Sequence, residues 1–249
     1  MSINSQAINY SIIGTLLSVS TSISAQESDH VFGGTLWLTT NYIYRGVSNS
    51  DNKPAIQAEI DYSHTPSGFY AYIWGSNIDF DDGESDVEID YAMGFTGALD
   101  NGMGWDAGVV YYSYPDSSIE PDYDYFDAYA GVSHTFETMP LTPTLSSNLF
   151  FSPDYFGEDG VAIYIEANIG LNLGRDFILT LHGGYQDVKG DKTSGPGGFD
   201  YADYSVSIAR EFGGINANLG YNNTIDKTDA CGNTSICDGM FVFTLSRNF

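Results

Sequence analysis

The sequence predicts an all-β chain closed into a transmembrane antiparallel β-barrel of about twelve strands, and three observations carry that expectation. Apolar and polar residues alternate with a period of two along most of the chain, the spacing that puts successive side chains on opposite faces of a strand. Turn-forming residues separate these runs alternately into short turns and longer acidic loops, the pattern of short periplasmic turns and longer extracellular loops in bacterial outer-membrane barrels. The chain then closes on Met240-Phe241-Val242-Phe243-Thr244-Leu245-Ser246-Arg247-Asn248-Phe249, an alternating run that ends on an aromatic residue.

Three segments show the alternation plainly. Ile56, Ala58, Ile60 and Tyr62 alternate with Gln57, Glu59 and Asp61. Val87, Ile89, Tyr91, Met93 and Phe95 alternate with Glu88, Asp90, Ala92, Gly94 and Thr96, and Val161, Ile163, Ile165, Ala167, Ile169 and Leu171 with Ala162, Tyr164, Glu166, Asn168, Gly170 and Asn172. No window after residue 30 sustains the spacing of an amphipathic helix. The same reading gives strands near 35–46, 54–64, 68–77, 86–97, 103–114, 124–136, 143–152, 160–172, 177–187, 201–211, 214–223 and 239–249. Thr65-Pro66-Ser67-Gly68, Leu173-Gly174-Arg175-Asp176 and Gly213-Gly214 are short turns, while 47–53, 78–85, 115–123, 153–159, 188–200 and 224–238 are long loops.

Composition bounds the function. The 249 residues carry 8 Lys plus Arg against 33 Asp plus Glu, a formal charge of -25, yet only 16% are charged and 15% are aromatic. A disordered acidic chain lacks aromatic residues; 19 Tyr, 15 Phe and 3 Trp indicate a folded one. The charge repels phosphates and no basic run occurs, which excludes nucleic acid as a partner. Residues 7–25 are uncharged and apolar or small, and they end in Ser22-Ile23-Ser24-Ala25, the pattern of a cleavable export signal. Gly14, Thr15 and several serines make this stretch too polar for a spanning helix. Residues 1–25 are therefore expected to be a signal peptide and 26–249 a single barrel domain. Cys231 and Cys237, six positions apart without CxxC spacing or a companion His pair, are expected to form one small disulfide loop in an oxidising compartment.

A soluble β-sandwich or barrel would satisfy the periodicity equally. Three features favour the membrane. Glu59, Asp61, Glu88, Asp90 and Glu166 sit at strand centres on polar faces, which suits a wet lumen. Tyr42, Tyr44 and the runs 111–114 and 123–126 crowd strand ends, which suits the aromatic girdles of a bilayer interface. The last strand, with Phe241, Phe243, Leu245 and Phe249, resembles the C-terminal signal by which outer-membrane barrels are recognised for insertion.

Further motifs extend that likeness. Leu38-Thr39-Thr40-Asn41-Tyr42-Ile43-Tyr44-Arg45-Gly46-Val47-Ser48, Gly68-Phe69-Tyr70-Ala71-Tyr72-Ile73-Trp74-Gly75-Ser76-Asn77, Glu88-Ile89-Asp90-Tyr91, Val110-Tyr111-Tyr112-Ser113-Tyr114-Pro115 and Ser152-Pro153-Asp154-Tyr155-Phe156-Gly157 together resemble the TorF family of bacterial porins. The resemblance spans about residues 31–249. It implies an outer-membrane barrel delivered by the barrel-assembly machinery and surrounded by lipid and lipopolysaccharide, in a family of largely unknown function.

The expected pore-lining residues are Asn41, Arg45, Gln57, Glu59, Asp61, Glu88, Asp90, Tyr164, Glu166 and Asn168. Carboxylates facing one cation lower the energy of a cation relative to an anion, and low-dielectric walls focus that field, so a mild cation preference among small solutes follows. The lumen has two readings, an open pore or a barrel plugged by internal pairs such as Arg45 with Glu59; twelve strands enclose more than the eight-stranded limit, which favours the pore. Asp79, Asp81, Asp82, Glu84, Asp116, Glu120, Asp122, Asp154, Glu158 and Asp159 supply oxygen ligands in the loops, but without the glycine register of an EF-hand, so they are read as solvated surface with no metal or cofactor. His30, His64, His134 and His182 lack a nucleophile and base pattern, so no catalysis is expected. The expected function is a porin for small solutes, with a non-conducting structural or adhesive barrel as the alternative and an outer-membrane hydrolase third.

Overall fold

The computed structural model describes residues 28–120, 122–190, 197–232 and 234–249, and the expected signal peptide lies outside them. The chain order is β1 (His30–Thr39), β2 (Ile43–Tyr44), β3 (Val47–Ser48), β4 (Ala55–His64), β5 (Phe69–Asn77), β6 (Val87–Ala98) and β7 (Gly104–Ser113). It continues with β8 (Tyr125–Thr135), β9 (Thr144–Ser152), β10 (Ala162–Gly174), β11 (Phe177–Val188), β12 (Phe199–Phe212), β13 (Ile215–Ile225), α1 (Thr228–Cys231) and β14 (Met240–Asn248). β1 and the eleven strands from β4 to β14 close into one antiparallel barrel, while β2 and β3 pair with each other. The connections are short at one end (65–68, 99–103, 136–143, 175–176, 213–214) and longer at the other (40–54, 78–86, 114–124, 153–161, 189–198, 226–239).

Closure satisfies the ladder on both sides of every barrel strand, which is what a sheet needs where no water can reach its backbone. The seam joins β1 to β14 from Thr35 opposite Asn248 to Thr39 opposite Thr244. Gly34 and Phe249 extend it by exchanging two backbone hydrogen bonds of 3.1 and 3.0 Å. Gly34 is required there, because a Cβ would meet the Phe249 ring at 2.8 Å and the Glu59 carbonyl oxygen at 2.9 Å.

The two faces of the wall are inverted relative to a water-soluble sheet protein. Ile60 is 69% exposed while its neighbour Glu59 is 8% exposed, and Ile56, Ile73, Met93, Phe95, Leu149, Ile165 and Leu219 join Ile60 on the outer surface. A soluble sandwich would bury that set. Arg210 lies on the outer face near the short-turn end, its guanidinium 4.7 Å from the rings of both Phe177 and Phe212.

Two expectations are corrected. The first strand, read as 35–46, runs over His30–Thr39, and the chain then turns inward as the β2–β3 hairpin. Arg45 (φ 47) and Gly46 (φ 80) make that turn in the left-handed region, which ends any strand. The aromatic girdle is corrected as well. Strand parity sends Tyr72, Tyr112, Tyr114 and Tyr125 inward, and Tyr42 joins them from the hairpin segment, while Tyr111 and Phe126 face outward.

Arg introduced at Ile60, near the middle of β4, is expected to cost about 2–4 kcal/mol, the midplane penalty for a cation on a lipid face, while Arg at Ile163, at the rim opposite Asp187, should cost about 0–1 kcal/mol. Glu166→Gln, which keeps the oxygen that accepts from Asn148, should leave stability unchanged. Urea unfolding in lipid vesicles reads both, and the reverse ranking would turn the barrel inside out.

Candidate functional site

The candidate site is the lumen, which has two halves. Toward the short turns, Asp61, Asp106, Asn148, Glu166, Ser205, Ser207, Asn216 and Asn218 are partly exposed inner-face side chains that line a polar vestibule. Toward the long loops, Trp74, Glu88, Asp90, Tyr112, Asp127, Tyr164 and Gln186 are all 2% exposed or less, so that half is filled. Its filling is an aromatic cluster of Trp37, Tyr42, Tyr72, Trp74, Tyr112, Tyr114 and Tyr125, against which Tyr44 packs. Loop aromatics roof it: Phe80 lies 5.6 Å from Tyr114 and 5.4 Å from Phe156, and Phe156 stacks on Tyr123 at 4.3 Å.

The β2–β3 hairpin brings Arg45 to the centre of this filling. Arg45 donates to Asp127 on β8 at 2.6 Å and to Gln186 on β11 at 3.1 Å. Its guanidinium carbon lies 4.8 Å from the ring centre of Tyr44, 4.9 Å from Phe150 and 4.6 Å from Tyr164. The Arg45 and Asp127 side chains are 4% and 1% exposed, so the pair works in a low dielectric where its loss leaves a bare charge. Gly46 follows against the neighbouring stretch of wall, where its carbonyl accepts from Thr224 on β13 at 2.7 Å. A Cβ at Gly46 would lie 2.5 Å from both Asp203 and Thr224, so the turn fits only glycine.

The ends of the hairpin segment are tied to the rim. Asn41 accepts from Ser48 (2.6 Å) and Ser50 (3.0 Å) and donates to Asn52 (3.0 Å) and to the Met240 sulfur. Ser48 donates its backbone N–H to the Ile236 carbonyl, and Asn52 donates to Ser235, both in the last long loop. That loop holds the Cys231–Cys237 disulfide. A rim cavity of about 310 Å³ opens beside it between Thr40, Asn41, Asn52, Ser235, Asp238, Met240 and Phe241.

All ten residues read from the sequence as lumen-facing lie at the interior, although Asn41 and Arg45 reach it from the connection after β1 instead of from a strand. Arg45 pairs with Asp127 and not with Glu59. Parity adds Asp106, Asp127, Gln186 and Asp203, which the sequence reading did not single out, and His182, which it weighed for catalysis. The inner-face carboxylates are thus Glu59, Asp61, Glu88, Asp90, Asp106, Asp127, Glu166, Asp203 and, at the short-turn end, Glu211, facing Arg45 and His182 among the described residues. His182 sits at the border of the two halves, its Nε2 2.8 Å from Asp203 and its Nδ1 2.9 Å from Asn168. Tyr164 donates to Asp203 at 3.0 Å.

The loop acids build their own turns. Asp82 accepts from the backbone of Glu84 and Ser85, both at 2.9 Å, and Glu84 accepts from Ser118. Lys53 donates to Asp79 and holds its carboxyl below the usual carboxylate range. Among the described residues no group of three or more His, Cys, Asp or Glu side chains is placed to hold a metal ion.

Residues 24–249 match the family model described as "Bacterial protein of unknown function (Gcw_chp)". The chain belongs to the Gcw_chp family. No curated protein matches the sequence. The barrel of this Gcw_chp chain is similar to solved porins: NanC (10% identity, TM-score 0.56, 88% of this chain and 99% of that one) and KdgM (8%, 0.54, 87% and 98%). A second KdgM structure, in complex with disordered oligogalacturonate, gives 8% identity and a TM-score of 0.52 over 88% of this chain and 97% of that one. These likenesses are in fold.

Arg45→Ala is expected to destabilise the folded barrel by about 3–5 kcal/mol, because Asp127 stays buried without its cation. Asp127→Asn in the same chain should recover part of that loss. A double-mutant cycle on denaturant unfolding measures the coupling, and additive effects would remove the pair from its place at the centre of the plug.

Proposed function

We propose that this protein is a porin-type channel of the bacterial outer membrane, with its short turns in the periplasm and its long loops outside, through which small cationic or neutral solutes diffuse. The observation that carries this reading is the inversion of faces, an apolar outer wall around a lumen of carboxylates, hydroxyls and amides. The likeness in fold to the NanC and KdgM porins and the motifs that resemble TorF porins support it. Residues 1–25 then serve export, the barrel-assembly machinery reads Phe241, Phe243, Leu245 and Phe249, and lipid and lipopolysaccharide surround the wall. Diffusion needs no cofactor and no general base.

Charge sets the solute class. The carboxylate-rich lumen opposes a polyanion of the kind bound in the KdgM complex and favours cations. The hairpin sets the conductance, because it and its aromatic neighbours fill the long-loop half. The second reading, a non-conducting barrel, draws on that same filling.

Planar-bilayer recording separates the two. The native protein is expected to pass K⁺ more readily than Cl⁻, with the bias weakening as the Debye length falls from about 10 Å at 0.1 M salt to about 3 Å at 1 M. Combining Glu59→Gln, Asp61→Asn and Glu166→Gln should move the reversal potential toward zero. Deleting residues 43–48 should raise the conductance several-fold; Thr39 and Ala55 are register partners, so the rest of 40–54 still bridges them. Anion preference would overturn the charge argument, and silence from both the native and the deleted protein would make the barrel a structural one.

A further inference from the structure

The residues that hold Arg45 belong mostly to the wall. Asp127, Phe150, Tyr164 and Gln186 come from four consecutive strands, β8 to β11, and none is part of the hairpin. The cage is therefore built by the barrel wall and not by the hairpin that carries Arg45. It also offers more than Arg45 uses: Asp127 Oδ1 is a buried acceptor that makes no hydrogen bond. A carboxylate and an amide oxygen that accept from one planar donor, between two ring faces within 5 Å of its carbon, match a guanidinium specifically. A hard spherical cation gains little from such rings and asks for six or more oxygens. On its vestibule side the cage is bordered by Glu166 and Asp203, each one inward position nearer the short turns than Tyr164 and Tyr201 on β10 and β12.

We propose that this cage is a binding site for small solutes bearing a guanidinium group, and that Arg45 occupies it at rest as the protein's own competitor. The proposal rests on the channel reading for its use, since a solute entering from the vestibule takes the place of Arg45 and frees the hairpin.

Full-length Arg45→Ala protein in detergent tests the cage directly, with methylguanidinium chloride as the probe. The thermal unfolding midpoint of the variant is expected to rise saturably by several degrees at millimolar probe, as for any ligand that binds the folded state alone. Potassium chloride and urea at the same concentrations should not reproduce the rise. The native protein, whose cage is filled, should respond at least tenfold less, and the Arg45→Ala, Asp127→Asn double variant should not respond. If Arg45→Ala does not fold, Arg45→Gln empties the cage while keeping a polar side chain, and the same titration applies. Equal shifts with potassium chloride, or a response that survives Asp127→Asn, would overturn the site. Bilayer currents from the same preparations are read separately: a cage that binds in a silent barrel would overturn the channel reading alone, and a conducting barrel without binding would overturn the cage alone.

Discussion

A wall of twelve strands encloses more volume than its own inward side chains fill, and the interior is organised around that surplus. In the half near the short turns the space is left to polar side chains and is reachable from one end. In the other half the chain fills it by folding the connection between its first two barrel strands back inside. Apolar packing alone would let such an insert slide along the axis. The ion pair of Arg45 with Asp127 fixes its depth, and Thr224 fixes its opposite edge through the Gly46 carbonyl.

The cost of that arrangement is concentrated in the buried carboxylates. Glu88, Asp90 and Asp127 are each 1% exposed or less, and Arg45 is the cation at their level. Tyr42 donates to Glu88 and Tyr112 lies within 3.5 Å of Asp127, so tyrosine hydroxyls share the role that water would have played. Tyr42 and Tyr112 thus both fill space and carry a donor to a buried carboxylate, which phenylalanine could not do, whereas the Tyr72 hydroxyl and both oxygens of Asp90 make no hydrogen bond.

Most of the wall was legible in the sequence because lipid imposes a simple rule. Every strand must present apolar side chains outward, so Ile163, Ile165 and Ala167 declare both the element and its facing, and the later strand boundaries agree to within a few residues. The insert was not legible for the same reason. Tyr42-Ile43-Tyr44 alternates as a strand does, and only Arg45-Gly46 and the polar run after Ser48 mark the turn. The start of β1 lies before the expected residue 35, at Gly33 and Gly34, which carry no side chain to show the alternation and which Asp61 and Phe249 approach closely. Asp127 and Asp203 were in the alternation all along, but each stands beside aromatic residues, and no local pattern says that Arg45, far away in sequence, is the partner of one of them.

That distance has a consequence for biogenesis. Arg45 is 82 residues from Asp127 and 141 from Gln186, so its holding site does not exist until β8 to β11 stand side by side. The hairpin is nevertheless anchored between β1 and β4, and β1 is also the strand that meets β14 to complete the ring. The insert must therefore stay on the inner side of a growing, still open sheet, its cation unsatisfied, until the later strands arrive. Once the seam closes, the segment lies inside the ring with its cation paired to Asp127.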